Sequence, residues 1–261
     1  MLLYVSNNKI AFSIFDDINR AILGFCEYKI ETSSEKKLSD FVEFVLMAEP
    51  ITNSKFRTTK ICYLSPKNTL VPSDIFDSKS VNIYFDWVTD LKEKELLFYD
   101  FIKAIDSFNV FGIHKKLFKK LNDLFVNPKI FDFNTILIQN TIRENRGTRD
   151  KKLYAYKENN ELYIYFLEFG KLLFSNRFTI NTPEDVVYYI LATCEQLQQN
   201  TSAVEVLLLG EATKDQTFEL LSQYLENIQF SEYPKGLYFP EKLDETERHR
   251  YFHLYSLALC E

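Results

Sequence analysis

Glycine is scarce in this sequence. The 261 residues include 6 glycines, where an average content of about 7% would give roughly 18. No two of the six lie closer together than residues 147 and 170. Motifs that bind phosphates or present a nucleophile through paired glycines, such as G-x-G-x-x-G, G-x-x-x-x-G-K-[ST] and G-x-S-x-G, are therefore excluded. The sequence accordingly indicates no reaction, and most of what it predicts concerns architecture.

Long apolar runs, a basic excess and paired cysteines are also missing. The longest apolar runs, of about four to six residues, are far shorter than the roughly 20 that span a bilayer, and the N-terminus lacks the pattern of a signal peptide. The 31 basic and 37 acidic residues argue against a broad DNA-binding face. Four scattered cysteines without C-x-x-C are typical of free thiols in a reducing compartment. We therefore expect a cytoplasmic protein that has no membrane segment.

The first half of the chain predicts three strands, a helix and a fourth strand. Period-two apolar residues predict strands over 3–6 and 10–14, joined by a turn at Asn7 and Asn8, and a third strand over 21–30. A capping-box spacing at 32–35 predicts a helix start, and apolar residues at helical spacing follow over 38–46. The fourth strand is predicted over 60–64. A strand over 108–113 and helices over 114–125 and 133–142 complete this half.

The second half repeats this order. Strands are predicted over 153–156, 162–166 and 171–180, a helix from about 183 to 194, and a strand over 204–209. A helix over 215–225, a short strand over 228–230 and a C-terminal helix over 249–259 follow. The Asn159-Asn160 turn lies 152 residues after the Asn7-Asn8 turn. The repeated order predicts an internal duplication.

The unmatched segments set the predicted domain boundaries. Residues 66–106 have no counterpart in the second half and are predicted to be an insertion in the first lobe. The polar, glycine-containing stretch 145–150 is typical of a linker. The sequence therefore predicts a first lobe over 1–147, with the insertion, and a second lobe over 148–261 that ends in the C-terminal helix.

A three-stranded meander followed by helix, strand, helix and strand, occurring twice, resembles the actin-like ATPase superfamily. Residues 64–72 (LSPKNTLVP), 208–211 (LLGE) and 259–261 (LCE) further resemble an uncharacterised bacterial family, a domain of unknown function with this duplicated fold. The resemblance implies a mixed α/β (α+β) fold of two ribonuclease-H-like lobes in tandem, with mixed five-stranded sheets flanked by helices. It implies no chemistry, because that family has no assigned activity.

The superfamily resemblance places the candidate site residues. In active members, an acidic residue and glycines in the first hairpin of each lobe hold the metal and wrap the phosphates, and a glycine pair after a late strand binds the nucleoside. The corresponding turns here have neither glycine nor aspartate, and asparagine pairs are typical of hairpin turns with positive φ. In the turn that corresponds to the nucleoside-binding glycine pair, this sequence has a single glycine, Gly210. The candidate cofactor-binding residues of this degenerate cleft are Ser6, Asn7, Asn8, Asn159, Asn160 and Gly210.

Two other patterns point only weakly to a metal. His249 and His253 are four residues apart, so on one helix they would share a face, but no acid at zincin spacing accompanies them. A ribonuclease-H-like nuclease would carry its metal-binding carboxylates on the meander strands. The four candidate aspartates for such a site lie outside those strands: Asp86, Asp90, Asp100 and Asp106. We therefore expect no metal site and no catalytic residue.

These observations together predict a non-catalytic, degenerate actin-like protein that acts as a binding or scaffold module with a protein partner and needs no cofactor. One alternative is a switch or enzyme that binds ATP and magnesium through atypical phosphate loops. A second is an RNA- or ribosome-associated protein that uses basic clusters, although a solvated helix face is the ordinary interpretation of such a cluster. The basic cluster proper comprises Lys115, Lys116, Lys119 and Lys120, and a second group comprises Arg143, Arg146, Arg149, Lys151 and Lys152.

Overall fold

The computed structural model describes residues 1–30, 35–86, 94–240 and 248–260. Contacts divide the chain into two compact units: Met1–Gln139 makes up most of the first, and Asn140–Gly236 most of the second. The described residues from His253 onward belong to the first unit. The domain boundary at residue 147 stays a prediction.

A five-stranded sheet forms the centre of the first unit. Its strands are β1 (Leu2–Val5), β2 (Lys9–Asp16), β3 (Ala21–Lys29), β4 (Lys60–Tyr63) and β8 (Lys129–Asp132), in the order β3-β2-β1-β4-β8. The meander β1–β3 is antiparallel, whereas β4 and β8 run parallel to β1. Alternate residues of β1 and β2 enter a core shared with the helices α1 (Glu35–Ala48) and α3 (Lys115–Leu124). The predicted start of α1 at 32–34 lies outside the described residues.

The predicted insertion forms a sheet of its own. Strands β5 (Asn68–Pro72), β6 (Glu95–Ile102) and β7 (Ser107–His114) are antiparallel in the order β5-β7-β6. Helix α2 (Val81–Asp86) packs on one face of this sheet. The sequence predicted β7 as a strand of the lobe. In the structure, a short turn joins β6 to β7, the two strands pair as a hairpin, and β7 therefore belongs to the inserted sheet. Helix α4 (Phe133–Glu144) follows directly on β8.

The second unit has a sheet with the same strand order. Its elements are β9 (Lys151–Glu158), β10 (Glu161–Glu168), β11 (Lys171–Thr179), α5 (Pro183–Gln196), β12 (Val204–Gly210), α6 (Gln216–Leu221) and β13 (Ile228–Phe230). The order β11-β10-β9-β12-β13, the antiparallel meander and the two parallel strands match the first sheet. Each meander has a register shift at the corresponding place, after Ile14 and after Phe166. The origin of the two sheets by duplication stays a prediction.

The C-terminal segment packs in the first unit, although the predicted boundaries assign it to the second lobe. Helix α7 (Phe252–Ser256) is shorter than the predicted helix and continues as a 3₁₀ turn. The His253 ring packs between Tyr4 and Phe133, with ring centroids 4.2 and 5.3 Å away. The Lys60 ammonium donates a hydrogen bond to the backbone carbonyl of Ala258 at 3.3 Å. These contacts attach α7 to the first sheet.

Candidate functional site

The candidate site lies at the carboxyl edge of the second sheet. The parallel strands β9 and β12 end side by side, at Glu158 and Gly210, and helices α5 and α6 begin at the same edge. Ligands of open α/β sheets bind beyond the carboxyl ends of the strands, because the loops there connect strand ends to helix starts. Two of the predicted site residues, Asn159 and Asn160, form the β9–β10 turn at this edge.

A cleft of about 490 Å³ opens at this edge. The described residues that line it carry amide and hydroxyl groups, one ammonium, one carboxylate and the apolar side chains of Ile180, Pro183 and Val186, but no aromatic ring. The polar lining residues are Lys157, Asn159, Asn160, Asn181, Thr182, Asp215, Gln216 and Thr217. The cleft therefore offers hydrogen bonds in both directions and no ring on which a base could stack.

Gly210 is needed where two strands approach each other closely. Its φ is +74°, and a Cβ atom built on it would lie 2.2 Å from the backbone oxygen of Lys157 and 3.0 Å from Cε2 of Tyr156. The amide of the next residue, Glu211, donates a hydrogen bond of 2.7 Å to the same Lys157 carbonyl. A backbone oxygen cannot be displaced without breaking this bond. The glycine is therefore explained by strand packing and does not line the cleft.

A side-chain carboxylate of this protein accepts a hydrogen bond from the backbone amide at the tip of the β9–β10 turn. Asn159 has a φ of +51°, as the sequence predicted for this turn. Its backbone N–H donates a hydrogen bond of 2.7 Å to Oε2 of Glu211. The carbonyl of Asn160 accepts the amide of Ile180 at 2.8 Å. The resemblance associates this hairpin with phosphate binding, but here its tip amide already has an anionic acceptor.

The N-terminus of α5 is closed by a capping box. Oδ2 of Asp185 accepts the backbone amides of Asn181 and Thr182 at 2.7 and 3.0 Å, and Oγ1 of Thr182 accepts the amide of Asp185 at 3.3 Å. Hydrogen bonds from Asn181 and Thr182 lower the pKa of the Asp185 carboxyl below its ordinary value. The carboxylate thus takes amides that could otherwise bind an anion.

Helix α6 is capped by the side chain of Asp215 at its N-cap position. Its Oδ1 accepts the amides of Thr217 and Phe218 at 2.9 and 3.3 Å, and its Oδ2 accepts the hydroxyl of Thr213 at 3.0 Å. Burial alone would raise the pKa of this carboxyl, but the hydrogen bonds and the charge of Lys157 outweigh burial and lower the pKa. Asp215 is therefore a third carboxylate that accepts backbone amides at this edge, after Glu211 and Asp185.

The first hairpin belongs to the other unit and is hydrogen-bonded within itself. Oγ of Ser6 donates to Oδ1 of Asn8 at 2.9 Å, and the amide of Ser6 donates to the carbonyl of Lys9 at 3.0 Å. The carbonyl of Asn8 accepts the amide of Ile30 at 2.6 Å. Asn7 is exposed. Neither Asn7 nor Asn8 has a positive φ, so the predicted conformation was wrong for this turn, which has three residues between the strands where the second turn has two.

The remaining sequence candidates are spread over different elements. His249 precedes α7 and lies in the second unit, with its ring nitrogen Nε2 2.7 Å from the carbonyl oxygen of Ala212, so it shares no helix face with His253. Asp86 ends α2, Asp100 lies on β6 and Asp90 lies outside the described residues. In the described ranges, no three His, Cys, Asp or Glu side chains are grouped so as to hold a metal.

The basic cluster lies on α3, as predicted. Lys115, Lys116 and Lys119 are exposed, and Lys120 is half-buried and pairs with Glu43 of α1. The buried residues Leu117 and Leu121 form the opposite face of the helix. Nucleic-acid binding through these lysines stays a prediction.

Sequence reasoning missed the three carboxylates that decide the character of the site, Asp185, Asp215 and Glu211. The spacing of Thr182 and Asp185 carries the signal of a capping box and could have identified the first. The contact between Glu211 and Asn159 joins residues 52 positions apart in the chain, and no local pattern predicts it.

Solved structures share this fold. A Bacteroides thetaiotaomicron protein with an actin-like ATPase fold and unknown function is 23% identical and superposes with a TM-score of 0.82, over 99% of this chain and 95% of that one. A chain of the PilM–PilN type IV pilus biogenesis complex is 12% identical, with a TM-score of 0.64 over 99% and 97% of the two chains. The ethanolamine utilization protein EutJ from Carboxydothermus hydrogenoformans is 8% identical, with a TM-score of 0.52 over 98% and 88%.

These similarities confirm the predicted fold class, the actin-like ATPase fold with mixed α/β lobes. No curated protein matches the sequence significantly. None of the helices in the described ranges has both the length and the hydropathy required to cross a membrane. Residues 1–228 match the model of a family described as a protein of unknown function, DUF3822, and the chain therefore belongs to that family.

Proposed function

We propose that this protein is a non-catalytic binding module of the cytoplasm, in which the cleft of the second unit binds a segment of a partner protein and no nucleotide is turned over. One observation carries the proposal: the carboxylate of Glu211 accepts the amide of Asn159, at the tip of the hairpin that the resemblance associates with phosphate binding. A phosphate at this position would have to displace an anion that is part of the chain.

The charges around the cleft support the same conclusion. The carboxylates of Glu211, Asp185 and Asp215 all accept backbone amides at this edge, and Lys157 is the one cation among the described lining residues. Like charges repel one another. A triphosphate would bring further negative charge to this edge, whereas a neutral or basic peptide would not.

The amide side chains of the cleft suit a peptide. Asn160, Asn181 and Gln216 are exposed, and each primary amide offers donors and an acceptor, as a peptide backbone also does. A fold neighbour is known from the PilM–PilN type IV pilus biogenesis complex, in which that protein takes part in an assembly. We infer an analogous use of the fold here, with a partner bound through main-chain hydrogen bonds.

A thermal unfolding series with magnesium and ATP tests the absence of nucleotide binding. A ligand at 100 times its dissociation constant stabilises a protein by about 2.7 kcal/mol. We expect no change in the unfolding temperature up to millimolar ATP, and no phosphate release above that of a boiled sample. A rise in the unfolding temperature that saturates with ATP, absent with magnesium alone, would support the ATP-binding alternative and contradict the proposal.

Filling the cleft with a large side chain tests whether the partner binds there. Gln216→Trp places a large ring in the cleft, and Gln223→Trp makes the same change at an exposed position that does not line it. We expect a partner that co-elutes with the wild-type chain in gel filtration at fixed stoichiometry to be lost with the first variant and retained with the second. Retention of the partner by both variants would show that the cleft is not the binding site.

A further inference from the structure

Two carboxyl groups lie at the junction between the inserted sheet and helix α4, in a part of the first unit that the proposed function does not use. Asp132 ends β8, and Asp100 lies on β6 of the inserted sheet. The backbone amide of Asp132 donates a hydrogen bond of 2.9 Å to Oδ2 of Asp100. The two acids therefore belong to one contact between the two sheets of this unit.

A polar network surrounds the two acids. Nδ2 of Asn109 on β7 donates to Oδ1 of Asp132 at 2.8 Å and to Oγ1 of Thr135 on α4 at 2.9 Å. Asn68 on β5 and the amide of Asn134 also donate to Oδ1 of Asp132, at 3.3 and 2.9 Å. Every strand of the inserted sheet thus contributes a side chain to this junction.

Acceptors outnumber donors in the network. Asp132 and Asn109 are 0% exposed, and Oδ2 of the former and Oδ1 of the latter have no hydrogen-bond partner among the described residues. Both hydrogens of the Asn109 amide are already donated. In the described residues no lysine, arginine or histidine pairs with either acid. A buried acceptor without a donor is costly, and a proton on a carboxyl group supplies the missing donor without needing any space.

The electrostatic surroundings of the acids agree with this geometry. Burial raises the pKa of Asp132 to about 7, with a further increase from the charge of Asp100 and a decrease from the Asn109 hydrogen bond. Burial likewise raises the pKa of Asp100 to about 6, although hydrogen bonds from Asp132 and Thr135 lower it. Both acids therefore titrate near neutral pH.

We propose that Asp100 and Asp132 form a pH-sensitive junction, which holds the inserted sheet against α4 while it carries a proton and loosens when both acids are ionised. The facing groups on β5, β7 and α4 and in the turn after β4 are Asn68, Asn109, Asn134, Thr135 and the amide of Ser65. None of these groups is charged or titrates in the physiological range. The pH response thus belongs to the two carboxyl groups.

The sign of the response follows from the raised pKa values. An acid whose pKa is higher in the closed state than in the open one holds its proton more tightly when closed, so closure weakens as the pH rises through that range. One pKa unit corresponds to a tenfold change in the equilibrium. We therefore expect opening of the junction to increase at least about tenfold between pH 5 and pH 8.5.

Hydrogen exchange of the β6 and β7 amides tests the junction. Asp132→Asn keeps an acceptor oxygen and cannot ionise, whereas Asp106→Asn removes an exposed charge from the turn between these strands. Rates are compared with the wild type at each pH, so that the intrinsic chemistry of exchange cancels. We expect equal rates for wild type and D132N at pH 5, and at pH 8.5 a wild-type rate at least about tenfold higher than that of D132N.

Two outcomes would overturn the proposal: a ratio of the wild-type rate to the D132N rate that does not change with pH, or the same change in ratio with D106N. Should D132N not fold, Asp100→Asn tests the less buried acid. The same rise of the ratio with pH, of smaller size, is expected for that variant. A constant ratio for D100N would equally refute the role of the pair.

Discussion

Gly210 provides the sharpest test of how the second sheet is built. In Gly210→Ala the new Cβ atom would lie 2.2 Å from the Lys157 backbone oxygen, which already accepts the Glu211 amide at 2.7 Å. A positive φ at a residue other than glycine costs about 1 kcal/mol or more. Moving the strand to relieve the clash and losing the hydrogen bond cost about 2 kcal/mol more. We therefore expect a loss of about 3 kcal/mol in the free energy of unfolding.

Gly147→Ala is the matched control, because Gly147 also has a positive φ, +78°, but no neighbouring atom lies within 4 Å of the place that its new Cβ would take. Both substitutions reduce the entropy of the unfolded chain equally, so the difference between the variants isolates the close contacts with Lys157 and Tyr156. Urea unfolding followed by circular dichroism measures both free energies. A G210A variant that is no less stable than G147A would refute the account of the strand approach.

Three further predictions concern a helix cap, the hydrogen bond between Asn159 and Glu211, and a buried ring. Thr182→Ala removes one half of the capping box of α5 and should lower the free energy of unfolding by about 1 kcal/mol in urea unfolding, whereas an unchanged value would contradict the cap. Glu211→Gln keeps an acceptor for Asn159 but removes the charge, so a loss of under about 1 kcal/mol is expected, and Glu211→Ala should cost more. Burial and the charge of Lys9 hold the pKa of His253 well below 6.5, so the unfolded chain takes up a proton below pH 6.5 that the folded chain does not, and stability falls on acidification. His253→Phe should show a smaller fall between pH 6.5 and 5 in urea midpoints, and an equal fall would refute this role of the ring.

The order of strands and helices could be predicted because it depends on local patterns. Alternating apolar residues in β2 and β10 enter the two cores, and the proline and threonine at 182–183 begin α5 as expected. The repeated order of elements resembles the actin-like ATPase superfamily, and the short segments at 64–72 and 208–211 resemble the family. The comparisons confirm both the fold and the family. Periodicity reports which side of an element faces the core, and this was enough to order the longer elements, whereas the four-residue strand β8 was not predicted.

Other features depend on contacts that are distant in the chain. Strand β7 has the pattern of a lobe strand, but its partners are β5 and β6 of the insertion. The helix predicted over 249–259 is shorter than its apolar spacing suggests, and His253 is buried against Tyr4, which lies at the other end of the sequence. Strand pairing and ring packing depend on the shape of the whole unit, which a local pattern does not encode.

The sequence by itself determined the two meanders and the helix and parallel strand that follow each of them, the lack of paired-glycine motifs and the family resemblance, but not strand β8 or helix α2. The tertiary structure decided the character of the candidate site, because Glu211 reaches Asn159 and Lys157 approaches Gly210 only once β9 and β12 are paired. It also brought Asp100 and Asp132 together from two different sheets. Composition and periodicity follow from each residue and its near neighbours, whereas the hydrogen bonds and the burial that shift a pKa are made between segments that only folding brings into contact.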